Sequence, residues 1–136
     1  MGLIIDSSAI VTLEREGREW TELLSAHANE PVALPAIVWA ELLVGVRLAK
    51  SVRVAAQRRA KLEQLRLHLP ILDFTAKIAE VYADIFSECS RSGTMVPQND
   101  MAVAATARSL GYGVLVSKRD EKHFRSVKKL RVVPLS

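Results

Sequence analysis

The stretch "VPQNDMAVAATARSLGYGVLVS", from Val96 to Ser117, shows how this chain alternates its elements. It begins with Pro97 and Asn99 ahead of an alanine-rich segment, which ends at Gly111, a common helix stop. A short apolar run, "YGVLVS", follows at once and has the composition of a buried strand. The stretch therefore predicts a helix that leads directly into a strand.

The same alternation extends along the rest of the chain. Further strands are predicted at "GLII", "PVALP", "LPILDF" and "RVVPL", and the proline of the last places it at an edge or an end of the sheet. Helical segments lie between them: "SSAIVTLERE", 18–28, 36–50, a basic helix that ends near residue 67, and "TAKIAEVYADIFSECSRSG" with Gly93 as its stop. Strands separated by helices imply parallel crossovers, so we predict an α/β sandwich in one domain, residues 1–136.

Composition restricts the class of protein. A chain of 136 residues with 49% hydrophobic side chains can build one core and is a poor candidate for disorder. Its single cysteine, Cys89, cannot form an internal disulfide, which fits a reducing cytoplasm. The beginning "MGLIIDSS" has no basic leader, and its apolar run is too short for a signal peptide or a membrane span. We therefore expect a cytoplasmic protein without a membrane partner.

Positive charge is concentrated in two blocks, within an overall net charge of +4. The first lies between residues 47 and 66 and contains Arg47, Lys50, Arg53, Arg58, Arg59, Lys61 and Arg66. The second lies between residues 118 and 131 and contains Lys118, Arg119, Lys122, Arg125, Lys128, Lys129 and Arg131. Such blocks favour a polyanionic partner, although the few aromatic residues argue against extensive base stacking.

One acid stands in a strongly apolar segment, "AIVWAELLVGV", where Glu41 is the only polar residue. On a helix, Glu41 would share a face with Ile37, Val44 and Leu48, and none of these can pair with a carboxylate. A desolvated and unpaired carboxylate costs several kcal/mol in order-of-magnitude terms. Glu41 therefore either lies at the edge of the apolar stripe, reaching water or an arginine, or faces an internal polar site.

Three more acids can reach the same edge of the sheet, because ligand sites of parallel sheets lie at the carboxyl ends of the strands. Asp6 directly follows the first strand, Asp100 opens the helix before the fourth strand, and Asp120 lies in the loop after the fourth strand. Glu41 lies in the first turns of the helix after the second strand. Singly, these acids have ordinary explanations: a helix cap, a favourable helix dipole or a solvated loop.

Together, the four acids predict a cation. Like charges at one sheet edge repel each other, and a bound cation would neutralise them. Oxygen ligands indicate Mg²⁺ or Mn²⁺, as one ion or two, and such an ion could activate a water against a phosphodiester. The three histidines show no ligand spacing and are predicted to be structural or surface residues: His27, His68 and His123.

These motifs resemble a known family. "LIIDSSAIVTLE", "PAIVWAELLVGV", "VPQNDMAVAATARSLGYGVLVS" and the following "D…HF" are similar to PIN domains, and in particular to the VapC toxins of prokaryotic VapBC toxin–antitoxin pairs. The resemblance implies a three-layer α/β/α sandwich and a Mg²⁺- or Mn²⁺-dependent endoribonuclease that cleaves single-stranded RNA. It also implies a homodimer and a cognate antitoxin.

The motifs assign the acids of the site. By resemblance, Asp6, Glu41 and Asp100 occupy the family's metal-binding acid positions, with Asp6 and Asp100 as metal ligands, and Asp120 is the fourth catalytic acid. The loop "SKRDEKHF" aligns in more than one register, so Glu121 is an alternative to Asp120. Ser117 stands where similar proteins more often carry threonine, which preserves the hydroxyl.

Two other functions remain as alternatives. A PIN fold can bind RNA or protein without cutting, but such a module would be expected to lack the acids. A receiver domain would use Asp73 in "PILDF" as its phosphorylated residue. It would also need an acidic pair after the first strand and a lysine after the last, and this chain has neither.

Overall fold

The computed structural model describes all residues from 1 to 136 and contains one five-stranded sheet. The strands are β1 (Leu3–Ile5), β2 (Val32–Pro35), β3 (Ile71–Leu72), β4 (Gly113–Val116) and β5 (Val132–Pro134). Their order is β3-β2-β1-β4-β5, and every neighbouring pair is parallel. The predicted α/β sandwich is therefore confirmed, and β5, with its proline, lies at an edge as expected.

Seven helices connect and cover the strands. They are α1 (Ser7–Arg15), α2 (Trp20–Ala26), α3 (Ala36–Arg47), α4 (Val52–His68), α5 (Ala76–Ser92), α6 (Gln98–Leu110) and α7 (Glu121–Arg125). Both predicted glycine stops are present, since Gly93 and Gly111 end α5 and α6 in the left-handed conformation that favours glycine. None of these helices is long and apolar enough to cross a membrane.

The central strands bring the first and last thirds of the chain together. β1 and β4 are adjacent and fully buried, in register from Leu3 beside Gly113 to Ile5 beside Leu115. Beyond them, the backbone N–H of Asp6 donates to the Leu115 carbonyl at 2.9 Å. The residues that follow β1, β2 and β4 therefore emerge at one edge of the sheet, where α1, α3 and the segment before α7 begin.

Two local features differ from the expectation. Val44 and Leu48 are exposed, and α3 instead buries Val38, Leu42 and Val46, so the core-facing stripe lies one residue away from the predicted one. The segment after β4, which was expected to be a loop, also contains the short helix α7: Asp120 is its N-cap residue and Glu121 is its first residue. A one-residue change of face is easily missed in a helix that is apolar almost all round.

Candidate active site

Asp6 is the most buried acid of the candidate site, with 2% of its surface exposed. One oxygen, Oδ2, accepts a hydrogen bond from the Ser8 N–H at 3.1 Å and so caps α1. The other oxygen, Oδ1, is buried without a hydrogen-bond partner. Burial, together with the charges of Asp100 and Glu41, raises the pKa of Asp6 to about 6. Asp6 is thus a helix cap that also presents one unsatisfied oxygen to the site.

Glu41 joins three helices. Its Oε1 accepts a hydrogen bond from the Ser7 hydroxyl of α1 at 3.2 Å, and its Oε2 accepts one from the Asn99 amide of α6 at 3.3 Å. The side chain is half-buried on the flank of α3, outside the core-facing stripe. This arrangement explains the lone acid of the apolar segment, since Glu41 faces a polar cluster and is not paired with an arginine.

Asp100, in the first turn of α6, is held by a residue that the sequence did not identify. Its Oδ2 lies 2.7 Å from Nδ1 of His123 on α7. Burial raises the pKa of Asp100, the hydrogen bond with His123 opposes this rise, and the charge of Asp120 adds to it. His123 stands 23 residues from Asp100 in the chain, so no ligand spacing could have revealed the contact. It was expected to be only a structural or surface residue.

Asp120 and Glu121 differ in their surroundings. Asp120 is close enough to Asp100 for its charge to raise the pKa of that residue, and its own backbone N–H donates to the Ser117 hydroxyl at 3.2 Å. Glu121 is instead paired with Arg125 on the next turn of α7, at 2.7 Å from its Nε. This difference supports Asp120 as the fourth acid, which stays a prediction.

The residues present suit a hard divalent cation. All four predicted acids lie around one edge of the sheet, and the unpartnered Oδ1 of Asp6 is an oxygen that a cation would satisfy. No three carboxylate, histidine or cysteine side chains are close enough to form a metal cluster by themselves. Mg²⁺ commonly binds through one or two carboxylates and keeps several waters, so two acids and water are a sufficient set.

A groove of about 560 Å³ opens beside Glu41, which lines it together with Ser7, whereas Asp6, Asp100 and Asp120 are not part of its lining. The rest of the lining comes from α1 to α4 and from the segment between α1 and α2, and it includes the cations Arg15, Arg18, Arg58 and Lys61. Two residues of the first basic block are already neutralised, because Arg58 pairs with Glu14 at 2.6 Å and Arg59 pairs with Glu63 at 2.9 Å. These two arginines are therefore poorer phosphate ligands than the sequence suggested.

A second positive surface, with exposed cations, lies beyond β4. Lys118 and Arg119 are exposed and line a second, smaller hollow together with Ser117. Arg119 has only a long contact with Asp120, 3.4 Å from its Nε, and its side chain is 80% exposed. This end of the second block directly precedes Asp120 in the chain, and its two cations are exposed.

Comparison with known proteins gives consistent results. The sequence model of the PIN domain matches residues 3–130. Ribonuclease VapC1 from Rickettsia felis is 33% identical over 136 residues, covering 100% of this chain and 98% of that protein. The crystal structure of VapBC2 from Rickettsia felis bound to a DNA fragment from their promoter has a TM-score of 0.86 over 100% of both chains, at 23% identity. VapBC-5 from Mycobacterium tuberculosis, a toxin–antitoxin system, has a TM-score of 0.77 over 98% of both chains, at 25% identity.

Proposed function

The chain belongs to the PIN domain family, as its motifs predicted, and we propose that it is a metal-dependent endoribonuclease that cleaves single-stranded RNA. Support comes from a full-length relative that is a VapC ribonuclease. The observation that carries the proposal is the buried, unpartnered Oδ1 of Asp6 beside Asp100 and Glu41. A buried carboxylate oxygen without a partner is unfavourable, and such groups occur in folded proteins where a bound ligand or ion stabilises them.

We assign the cation to Asp6 and Asp100, as either Mg²⁺ or Mn²⁺. A cation held there would supply positive charge and lower the pKa of a bound water. Glu41 contributes a fixed negative charge, since Ser7 and Asn99 hold both of its oxygens. Asp120 would act from the α7 side, through a water. The chain's own part is therefore to hold four acids in place at one edge of the sheet.

The RNA would approach over the positive surface formed by the segment between β4 and Asp120. Lys118 and Arg119 are exposed there and would contact backbone phosphates on either side of the cleaved bond. Sequence preference is not implied, because phosphate contacts fix position and do not read bases. Few aromatic residues are available for stacking, so we expect binding to depend mainly on charge.

We also propose that the protein is the toxin of a type II toxin–antitoxin pair and forms a homodimer. Support for the toxin assignment is the similarity, at 25% identity, to VapBC-5, a member of a family of toxin–antitoxin systems. The cognate antitoxin would cover the acids and the positive surface and so block cleavage. A small DNA-binding protein encoded in the adjacent reading frame would support this assignment.

The function is tested by cleavage of a single-stranded RNA in Mg²⁺, in Mn²⁺ and in excess EDTA. We expect cleavage only with a cation, and a loss of more than about 100-fold for Glu41→Gln and Asp100→Asn with the fold intact. Asp73→Asn is the matched control, because Asp73 is an exposed acid that follows β3 at the same edge of the sheet.

Cleavage that persists in EDTA would refute the metal requirement. RNA that is bound but left intact with every cation would favour the alternative, a PIN-fold module that binds RNA or protein without cutting. Circular dichroism of each variant separates a lost activity from a lost fold.

A further inference from the structure

His123 is placed more precisely than a surface histidine needs to be. It lies on α7, a helix of five residues, next to Phe124, which is completely buried and fixes that helix to the core. The histidine side chain is 31% exposed, and its partner Asp100 is 17% exposed, so their 2.7 Å contact is largely shielded from water. A contact of this kind between a histidine and an acid is geometrically well defined.

A series of hydrogen bonds ties His123 to the other end of the site. The Ser8 hydroxyl of α1 accepts from the Ser117 N–H at 3.1 Å, and the Ser117 hydroxyl accepts from the Asp120 N–H at 3.2 Å. The Asp120 carbonyl then accepts from the His123 N–H at 3.0 Å. The backbone of His123 is therefore fixed relative to α1, and its ring in turn reaches Asp100 on α6.

We infer that His123 is a positioning residue, whose Nδ1–H holds Oδ2 of Asp100 and thereby orients that carboxylate toward the cation. The inference rests on the proposed function, in which Asp100 is a metal ligand. An ionised carboxylate only accepts hydrogen bonds, so Nδ1 carries the proton and cannot itself bind the metal in this arrangement. With Oδ2 held by His123, Oδ1 is the oxygen left for the cation.

Hydrogen bonds to a ligating carboxylate reduce the freedom that it loses when the metal binds. Partners of metal ligands of this kind typically contribute 10- to 100-fold to metal affinity or activity. The role differs from that of a catalytic residue, because His123 acts only through Asp100. It also differs from a packing role, because a side chain of the same shape without a donor could not replace it.

Two variants of nearly equal shape test this distinction. His123→Asn places an amide donor near the position of Nδ1, whereas His123→Leu places a methyl group there. Mn²⁺ affinity is measured by isothermal titration calorimetry without RNA, and cleavage is measured at saturating Mn²⁺. We expect His123→Leu to bind Mn²⁺ about 10- to 100-fold more weakly. His123→Asn should stay near the wild-type affinity.

His27→Ala is the matched control, since His27 also lies beside an acid, 3.7 Å from Glu30, and is similarly shielded. It should leave Mn²⁺ affinity unchanged. Equal affinities for wild type and His123→Leu overturn the inference, and so does an equal loss in the Asn and Leu variants. Wild-type protein that binds no Mn²⁺ also overturns it. Wild-type protein that binds Mn²⁺ but leaves RNA intact overturns the proposed function instead, and the affinities of the variants still decide the inference.

Discussion

The ionised side chain of Asp6 should lower the free energy of unfolding of the metal-free protein. The Asp6→Asn variant should therefore be more stable than wild type. Burial raises the pKa of Asp6 from 3.8 to about 6, so ionising this side chain costs more in the folded state than in the unfolded state. At roughly 1.4 kcal/mol for each pKa unit, the cost at pH 7 is about 3 kcal/mol. The neutral amide of Asn avoids that cost and is itself a good helix cap for α1.

The expected net gain is smaller than the full cost. Asn loses the favourable interaction of a negative charge with the N-terminus of α1, roughly 0.3–1 kcal/mol. About 2 kcal/mol should remain at pH 7, which corresponds to a melting temperature higher by roughly 6–8 °C for a domain of this size. Asp73→Asn, at an exposed position, should stay within about 0.5 kcal/mol of wild type.

The pH dependence fixes the sign of the effect. A carboxyl whose pKa is raised by folding binds its proton more tightly in the folded state, so its contribution to stability is complete below pH 4. That contribution is lost as the pH rises to about 6. Urea unfolding is measured in EDTA from pH 4 to pH 7.5. Wild type should lose stability relative to Asp6→Asn between pH 4 and about pH 6 and show no further steep loss above that pH.

Addition of Mn²⁺ should reverse the order, because a cation that binds the ionised Asp6 stabilises only the wild type. The reasoning is refuted if Asp6→Asn is less stable than wild type at pH 7 in EDTA. It is also refuted if the difference between the two proteins is the same at pH 4 and at pH 7.

Two further predictions concern the edges of the site. Asp120→Asn should weaken Mn²⁺ binding and slow cleavage, because the charge of Asp120 acts on Asp100. Glu121→Gln should change neither, because Glu121 is paired with Arg125. The opposite result would make Glu121 the fourth acid. The double variant Lys118→Gln/Arg119→Gln should lower the slope of log affinity against log salt for single-stranded RNA by about 1.4. The control variant Lys128→Gln/Lys129→Gln should leave that slope unchanged. Its residues lie away from the site, since the Lys128 carbonyl accepts a hydrogen bond from Arg108, about two turns of α6 from Asp100. Equal slopes for wild type and both double variants would contradict phosphate contacts at Lys118 and Arg119.

Features that depend on neighbouring residues were predictable from the sequence. The strand–helix alternation follows from short apolar runs, and the glycines that end α5 and α6 stand directly after their helices. The position of Asp6 at the end of β1 follows from the same local pattern. The parallel sheet then brings the acids to one edge, because all its strands point the same way.

Contacts between distant parts of the chain were not predictable in the same way. The face of α3 that is buried depends on how that helix packs, and its apolar sequence contains too little contrast to show it. The pairing of Arg58 with Glu14 joins residues 44 positions apart, and nothing local distinguishes Arg58 from the other cations of its block. His123 reaches Asp100 only because Phe124 anchors α7 against the core.

The central position of β1 also determines when the site can form during synthesis. β1 is the first strand to be made, yet its neighbour β4 and the acids Asp100 and Asp120 belong to the last third of the chain. Pairing across so long a separation is slow and cannot start until the later segment is present. A growing chain that still lacks β4 also lacks Asp120 and the strand beside β1, so the edge of the sheet at which the four acids meet is not yet complete. The cleavage that we propose would begin only after the chain had left the ribosome as far as Asp120, so a binding partner made earlier could already be present.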